Sequence, residues 1–581
     1  MYFVTVENNA GRGHLKIIIK SPFNDQFKNI LAITFTNKAA SEMKDRIIST
    51  LKEFADETIL SNPTDMFKMI CEELQMKPEA VNKKADILLN TIVYNYAFFD
   101  ISTIDGFTHR IIRTFAHDLK LPLNFEVELD QESLLTEAID RLIAKAGFEK
   151  ELTKVLVDFA LEKADDDKSW DVAFDFNKIA KILLNENDIP YINSLKDKTF
   201  KDFKQFKSFL KQEITSAEKD IAEEASRMLT LIEEAGLQFN DFTGSYIPKY
   251  FEKLSKLDLS VSYTPKWQID IENNTLYPKR VTPDIASIIE EIQPNLAASF
   301  HKTKELFFHY KFLKSCYKTI TPLSVLNAIN NELVTLKTEQ NKVLISEFNN
   351  MISKEIKNQP TPFIYERLGE KFKHYFIDEF QDTSVLQWEN LIPLIDTNLV
   401  QDPLNPNTGS LMVVGDAKQA IYRWRGGKAE QFIDLIKNKN PFQVKKDVIN
   451  LSNNYRSYAE IINFNNTFFK YLSNTLFSNE TYKELYQKAW QETIKEETGY
   501  VNLEFLDFTP EDDVYQCYSE KTYEAIKACQ ENGFQLSDIC VLVRKNKQGV
   551  AIANYLSERD IKIISSESLL INNSLEVAFT I

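Results

Sequence analysis

The chain is poor in the residues that build metal centres and cross-linked scaffolds. Its five cysteines, Cys71, Cys316, Cys517, Cys529 and Cys540, are scattered with no C-x-x-C pair. That excludes the ligand spacing of structural zinc and a disulfide framework, and a reducing compartment is the simpler reading. No run of about 18 apolar residues occurs, and no charged-then-apolar leader with a cleavage site is visible, so neither a membrane span nor export is expected. The cytoplasm is the expected location. Positive charge is also in deficit, with 69 Lys+Arg against 85 Asp+Glu and a net charge of −16. A generally basic nucleic-acid coat is therefore excluded, but a local basic groove is not, because phosphate contact depends on the field of one surface.

What is present is globular: 43% of the 581 residues are hydrophobic and 12% aromatic, enough for roughly three or four domains of about 150 residues. "NILAITFTNKAASEMKDRIISTL", residues 29–51, opens as a buried strand and then takes helical period through Ala40, Met43, Ile47 and Leu51. "HYFIDEF" at 374–380 is a second strand followed by a helix with Val385, Trp388, Leu391, Ile392 and Ile395, and "SLMVVGD" at 410–416 is a third strand. Strands alternating with helices predict a parallel α/β sheet, with function at the carboxyl ends of its strands. Between about 120 and 345 the texture becomes helical and charged. There Ile214, Ala217, Ile221, Ala225, Met228 and Ile232 mark one face, and Gly236 stands where a helix should stop. From about 440 a second α/β pattern begins, with strands expected at 539–546 and 561–565.

Three stretches carry chemistry. In "FIDEFQDTS", residues 376–384, Asp378 and Glu379 follow an apolar strand. Such a pair suits ATP hydrolysis, one carboxylate holding Mg²⁺ and the next taking a proton from the attacking water; an acidic turn capping a helix is the alternative. "VVGDAKQAIYRWRGG", residues 413–427, places Gln419 after another strand and then alternates Tyr422, Arg423, Trp424 and Arg425. Cations for phosphates and flat rings for bases are what a single-stranded nucleic-acid track needs, although Tyr422 and Trp424 could also be core residues. The third stretch, "FVTVENNAGRGHLKIIIKSP" at 3–22, has the layout of a phosphate loop: a strand through Phe3, Val4 and Val6, a turn at Gly11 and Gly13, and a helix from Leu15 to Lys20. A working G-x-x-x-x-G-K-[ST] loop needs a lysine for the β/γ-phosphates and a hydroxyl for Mg²⁺. The corresponding places read Asn8, Gly13, His14 and Leu15.

Taken together, "AITFTNKAASEMKDRI" (32–47), "ISTIDGFTHRIIRTF" (101–115), "FIDEFQDTS", "VVGDAKQAIYRWRGG" and "NLSNNYRS" (450–457) resemble the ordered motifs of superfamily 1 DNA helicases of the UvrD/Rep type. The wording of the second stretch and the large helical insertion resemble the AddA/RecB-like branch. The resemblance implies a P-loop NTPase (RecA-like) motor that binds ATP and Mg²⁺, walks 3′ to 5′ on single-stranded DNA and separates duplex DNA in repair and recombination. Its expected parts are a first motor lobe over 1–120 and 346–440, a mainly helical insertion over 121–345, and the start of a second RecA-like lobe over 441–581. By resemblance, Asp378 binds the metal, Glu379 is the catalytic base, Gln419 and Arg456 sense the γ-phosphate, and Tyr455 stacks on adenine. Phe35 and Trp424 would stack on bases, and Thr36, Asn37, Thr103, Arg423 and Arg425 would hold the strand. Asp105 stands where many relatives have histidine and is assigned no DNA role.

Against the family's phosphate loop, approximately A-[SG]-A-G-[ST]-G-K-T, Ala10, Gly11 and Gly13 match, while His14 replaces the lysine and Leu15 the hydroxyl residue. Imidazole lacks the lysine's reach and leucine cannot ligate a metal. The Leu15–Lys20 helix before Ser21 and Pro22 is about one and a half turns, too short for a firm N-terminal anion site. The family's later motifs and any nuclease domain are expected to be absent from this chain, as in a truncated product or one half of a motor completed by another chain. ATP turnover by this chain is accordingly expected to be very weak or nil. Two other readings remain: a non-catalytic DNA-binding or scaffold subunit of a helicase–nuclease complex, and a metal-dependent nuclease using Asp378 and Glu379, for which no further acidic cluster is evident.

Overall fold

Ile30–Thr34 forms a strand, β2, in which all five residues are buried. A continuous apolar run of this kind belongs to a strand covered on both faces, the usual state of a parallel sheet. β2 pairs in parallel with β3 (Ile101–Thr103) and with β6 (His374–Ile377), and β6 pairs in parallel with β7 (Ser410–Gly415). With β1 (Tyr2–Thr5) and β8 (Asp447–Asn450) they make a six-stranded sheet in the order β3-β2-β6-β7-β1-β8. A computed structural model describes residues 2–5, 26–119, 121–122, 124–128, 130–165, 171–358, 368, 371–399, 409–495, 498–509 and 512–565 of the chain. They divide into two compact units, 1–452 and 453–581.

The helices expected to follow the strands are present. Asn37–Ala55 buries Ala40, Ile47, Leu51 and Phe54, and Val385–Leu399 buries Trp388, Leu391, Leu394 and Ile395. This is the layered α/β architecture that the resemblance implies. β1 departs from it in one respect. It lies beside β7 but runs antiparallel, with Tyr2 opposite Gly415 and Thr5 opposite Met412. Thr5 therefore reaches the edge of the sheet opposite the one where β6 and β7 end, whereas a phosphate-loop strand must end beside them. A four-residue strand fills the gap between β7 and β8 with ladder hydrogen bonds in either direction, so short apolar alternation does not dictate its sense. Val6, the loop residues Ala10, Gly11, Gly13 and His14, and the segment Leu15–Lys20 lie outside the described residues.

Between the third and sixth strands the chain is mostly helical. Helix Phe200–Glu234 buries Ala217, Ile221, Ala225, Met228 and Ile232, and Gly236 takes φ +70° just beyond its end. It packs against helix Pro283–Ser324 in an antiparallel sense: the Ser299 hydroxyl donates to Glu224 at 2.5 Å, while Lys207 donates to the Thr321 hydroxyl at 2.7 Å. Two short strands, β4 (Glu126–Glu128) and β5 (Lys342–Leu344), pair in parallel where the chain enters and leaves this region.

The second unit holds a two-stranded parallel pair, β9 (Asn453–Asn454) with β10 (Glu492–Thr493). Its helices Val514–Glu531 and Asn546–Ser557 pack around Ile526, Leu556 and Ile561. The strands expected at 539–546 and 561–565 are not formed: 539–543 and 561–565 carry no ladder, and Asn546 already opens a helix. An apolar run becomes a strand only when a neighbour accepts its backbone bonds. Among the described residues none does.

Candidate active site and nucleic-acid interface

β2, β3, β6 and β7 all end at one edge of the sheet, and the residues just past those ends gather there. Asp378 continues β6, its N–H donating to the Ile33 carbonyl at 2.8 Å. Its own Oδ1 accepts from the Glu379 N–H at 3.0 Å. Burial and then the Glu379 charge push the Asp378 carboxyl above its ordinary pKa, with Arg46 acting the other way. Glu379 holds a left-handed backbone, φ 53° and ψ 40°, which costs a non-glycine residue on the order of 1 kcal/mol. The turn it makes starts the short helical turn Phe380–Asp382 and keeps both carboxylates at the strand end.

Two further side chains in this turn, singled out by nothing in the sequence pattern, tie the carboxylates to the rest of the edge. Gln381 donates to Glu379 Oε2 at 2.6 Å and accepts from the Asp416 N–H at 2.9 Å, bridging the ends of β6 and β7. A Cβ on Gly415 would stand 2.6 Å from Gln381 Oε1, so the bridge needs glycine there. Asp416 in turn receives Lys418 Nζ at 2.6 Å and Gln419 Nε2 at 3.1 Å. Burial alone would raise the Asp416 pKa, but Lys418 holds it below the usual carboxylate range. Asp382 is buried with Oδ1 unpartnered. Burial and the nearby Glu379 charge push its pKa up to about 6, against hydrogen bonds from the backbone of Ile421 and Tyr422.

Those backbone bonds fasten the turn to the segment that bears the aromatic and arginine residues. Ser384 and Gly427 form an antiparallel bridge, and Lys428 N–H donates to the Thr383 carbonyl at 3.2 Å. Phe35, just past β2, packs on Tyr422 with ring centroids 4.5 Å apart. Tyr422 lies 6.3 Å from Trp424, and the Arg425 guanidinium sits 5.4 Å over Phe35 and 5.9 Å over Trp424. The result is a ring-and-cation platform whose outer member, Trp424, is 72% exposed. The core-residue reading of Trp424 is thereby excluded, while Tyr422 is half-buried. Arg423 pairs with Glu430. Thr36 and Thr103 cap the helices that follow their strands, accepting from Ala39 N–H and Gly106 N–H, each at 3.1 Å. Asn37 is exposed at the first position of its helix.

Tyr455 and Arg456 belong to the second unit. Tyr455 is 69% exposed, and its hydroxyl accepts from Asn453 Nδ2 at 3.3 Å. The Arg456 N–H donates to Asn454 Oδ1 at 2.9 Å, which fixes the backbone while the side chain is exposed.

The sheet edge thus combines a carboxylate pair with an exposed stacking surface, the parts of a nucleotide-driven nucleic-acid motor. Family models match accordingly: the UvrD/REP helicase N-terminal domain over residues 18–440 and the UvrD-like helicase C-terminal domain over 449–570. The chain belongs to the UvrD/REP helicase family. It is similar to proteins named as subunits of an ATP-dependent helicase/nuclease: one from Lactobacillus acidophilus at 23% identity over 74% of this chain and 36% of the relative, and one from Clostridium botulinum at 24% over 72% and 33%. The Clostridioides difficile protein of the same name is 24% identical over 71% of this chain and 32% of its own length. The chain spans about a third of the length of these relatives. Among the described residues no helix is long and apolar enough to cross a membrane.

Proposed function

We propose that this chain is the motor portion of an ATP-dependent 3′–5′ DNA helicase of repair and recombination that binds single-stranded DNA along the Phe35–Trp424 platform but turns over ATP very weakly or not at all. The observation that supports it most is the single turn 378–384, which holds Asp378 and Glu379 on one side and is hydrogen-bonded to the platform segment on the other. Bases would stack on Phe35 and Trp424 while Thr36, Asn37, Thr103, Arg423 and Arg425 hold the strand, giving little sequence preference. The carboxylates suit a hard cation. Asp378 is lifted by burial and by Glu379, and among the described residues no group of three or more acidic, His or Cys side chains could hold a metal alone. Mg²⁺ bound through one or two carboxylates and nucleotide phosphates fits that donor set, with Asp378 its ligand. The metal would neutralise charge on the phosphoryl oxygens; Glu379 would take the proton from water, and Gln419 and Arg456 would contact the γ-phosphate, with Tyr455 against adenine.

The same reading takes residues 121–345 as a helical insertion and 441–581 as the start of a second motor lobe, a boundary that moves to 453 because β8 belongs to the sheet of the first unit. It also assigns the chain a cytoplasmic location and a partner within a helicase–nuclease complex. Weak turnover follows from His14 and Leu15 in the loop of Ala10, Gly11 and Gly13, and is supported by β1 running against β7. The test is phosphate release with and without single-stranded DNA, in the wild-type chain and in Glu379→Gln. We expect very weak or no DNA-stimulated release in either; single-stranded DNA binding unaffected by ATP would favour instead a non-catalytic DNA-binding subunit. Release at an ordinary helicase rate that Glu379→Gln abolishes would sink the prediction.

A further inference from the structure

Arg425 has two kinds of neighbour. On one side are the Phe35 and Trp424 rings. On the other is Asp105, whose Oδ2 lies 3.6 Å from the guanidinium. Asp105 sits in the first turn of helix Ile104–Thr114, directly after β3. It is anchored from beneath by Gln387, which donates to its Oδ1 at 3.0 Å. Gln387 also accepts the Ser384 N–H at 2.9 Å, and the Ser384 hydroxyl donates to Glu186 at 2.7 Å. Glu186 comes from the helical region and receives Asn349 Nδ2 as well. Two carboxyls therefore lie below the platform, close enough for the Asp105 charge to raise the Glu186 pKa after burial has already done so. Burial likewise raises Asp105, against Arg425 and Gln387.

This arrangement differs from a carboxylate that positions an arginine. The rings already fix where the guanidinium lies, and Arg425 reaches Asp105 at more than hydrogen-bond distance while half-exposed to solvent. A phosphate approaching the platform meets a cation whose charge is partly spent on Asp105. Resting on the DNA-binding reading above, we infer that Asp105 is an internal competitor for Arg425, a residue that sets how strongly the platform grips a phosphate backbone by holding back one of its cations.

The experiment is binding of a fluorescent oligothymidylate to the full chain by anisotropy, over a salt series from about 50 to about 200 mM. Asp105→Asn keeps the side-chain shape and an oxygen for Gln387 while removing the charge. It should tighten binding about two- to fivefold at the low-salt end, the scale of a partly exposed ion pair, and steepen the salt dependence by about 0.7 in log–log slope, the value of one added phosphate contact on a single strand. A packing role would not move the slope. In an Arg425→Ala background the same change should do nothing. Unchanged or weaker binding by Asp105→Asn, or a gain that persists without Arg425, overturns the inference. Failure of the wild-type chain to bind the oligonucleotide at all would overturn instead the DNA-binding reading on which it rests.

Discussion

The carboxyl edge of the sheet has two halves built by opposite means. In the inner half, Gln381, Asp382, Ser384 and Asp416 are buried, and each is held by hydrogen bonds to a neighbouring strand end or segment. The outer half is a row of rings and guanidiniums, with Trp424 and Ile421 at 72% and 70% exposure. A buried polar network fixes geometry because each unmade bond costs its full desolvation penalty. Of the rings in this row Trp424 stands exposed, which is what a ligand that stacks requires. The contrast teaches that the inner half sets where the carboxylates and the platform stand, while the outer half presents the surface proposed to take a nucleic acid.

The largest effect should come from removing the outer half alone. Trp424→Ala deletes an exposed stacking face and should weaken oligothymidylate binding by roughly 10- to 100-fold, the scale of about 1–3 kcal/mol per stacked base. Its melting temperature should stay within about 1 °C of wild type, since an exposed ring contributes little to folding. A large loss of stability would break the comparison, because it would make Trp424 a packing residue.

A smaller effect is expected where the halves meet. A Cβ on Gly427 would lie 2.9 Å from the Asp382 carbonyl oxygen and 3.0 Å from that of Tyr422. Both are backbone atoms, so Gly427→Ala must push the platform segment away from the 379–384 turn, at about 1–3 kcal/mol. Thermal denaturation should show the loss, and oligothymidylate affinity should fall a few-fold although no side chain of the proposed DNA track is touched. Unaltered affinity in a destabilised protein would show that the platform does not depend on the turn.

Much of this edge was legible in the sequence, and unevenly so. Strands β2, β6 and β7 announced themselves because buried parallel strands are unbroken apolar runs, and Asp378 and Glu379 because charge follows such a run abruptly. The aromatic–arginine alternation gave Trp424 and Arg425. Gln381, Asp382 and Gln387 were not legible as more than neighbours: their importance lies in what they bridge across the sheet, and separations of some 35 to 280 residues carry no local signal. Asp105 was visible as an oddity only, since nothing local says that Arg425 lies beside it. The unformed strands at 539–546 and 561–565 were misjudged, and the sense of β1 was not legible, for one reason. Apolar alternation states that a segment can pair, not with which neighbour or in which sense.

The subtlest test concerns the charge inside the buried half. Asp382 has its pKa raised to about 6 in the folded chain, against an ordinary value near 3.9. Between those values the folded state binds more protons than the unfolded one, so this group makes stability fall as pH rises from about 4 to about 6, and leaves it lower by a constant amount above that. His374 contributes in the opposite sense. Burial holds it at about 4, so its contribution is lost as pH falls from about 6.5 towards 4. The bare pH profile mixes the two, and a substitution separates them. Asp382→Asn removes only the carboxylate term while an amide oxygen still accepts from Ile421 and Tyr422. It should stabilise the chain relative to wild type by on the order of 1–3 kcal/mol at pH 8 and by progressively less as pH approaches 4, read as the difference between two denaturation midpoints. A difference that is constant across pH would mean that Asp382 is ionised throughout. The inner half would then hold its third carboxylate in place against Glu379 by hydrogen bonds alone.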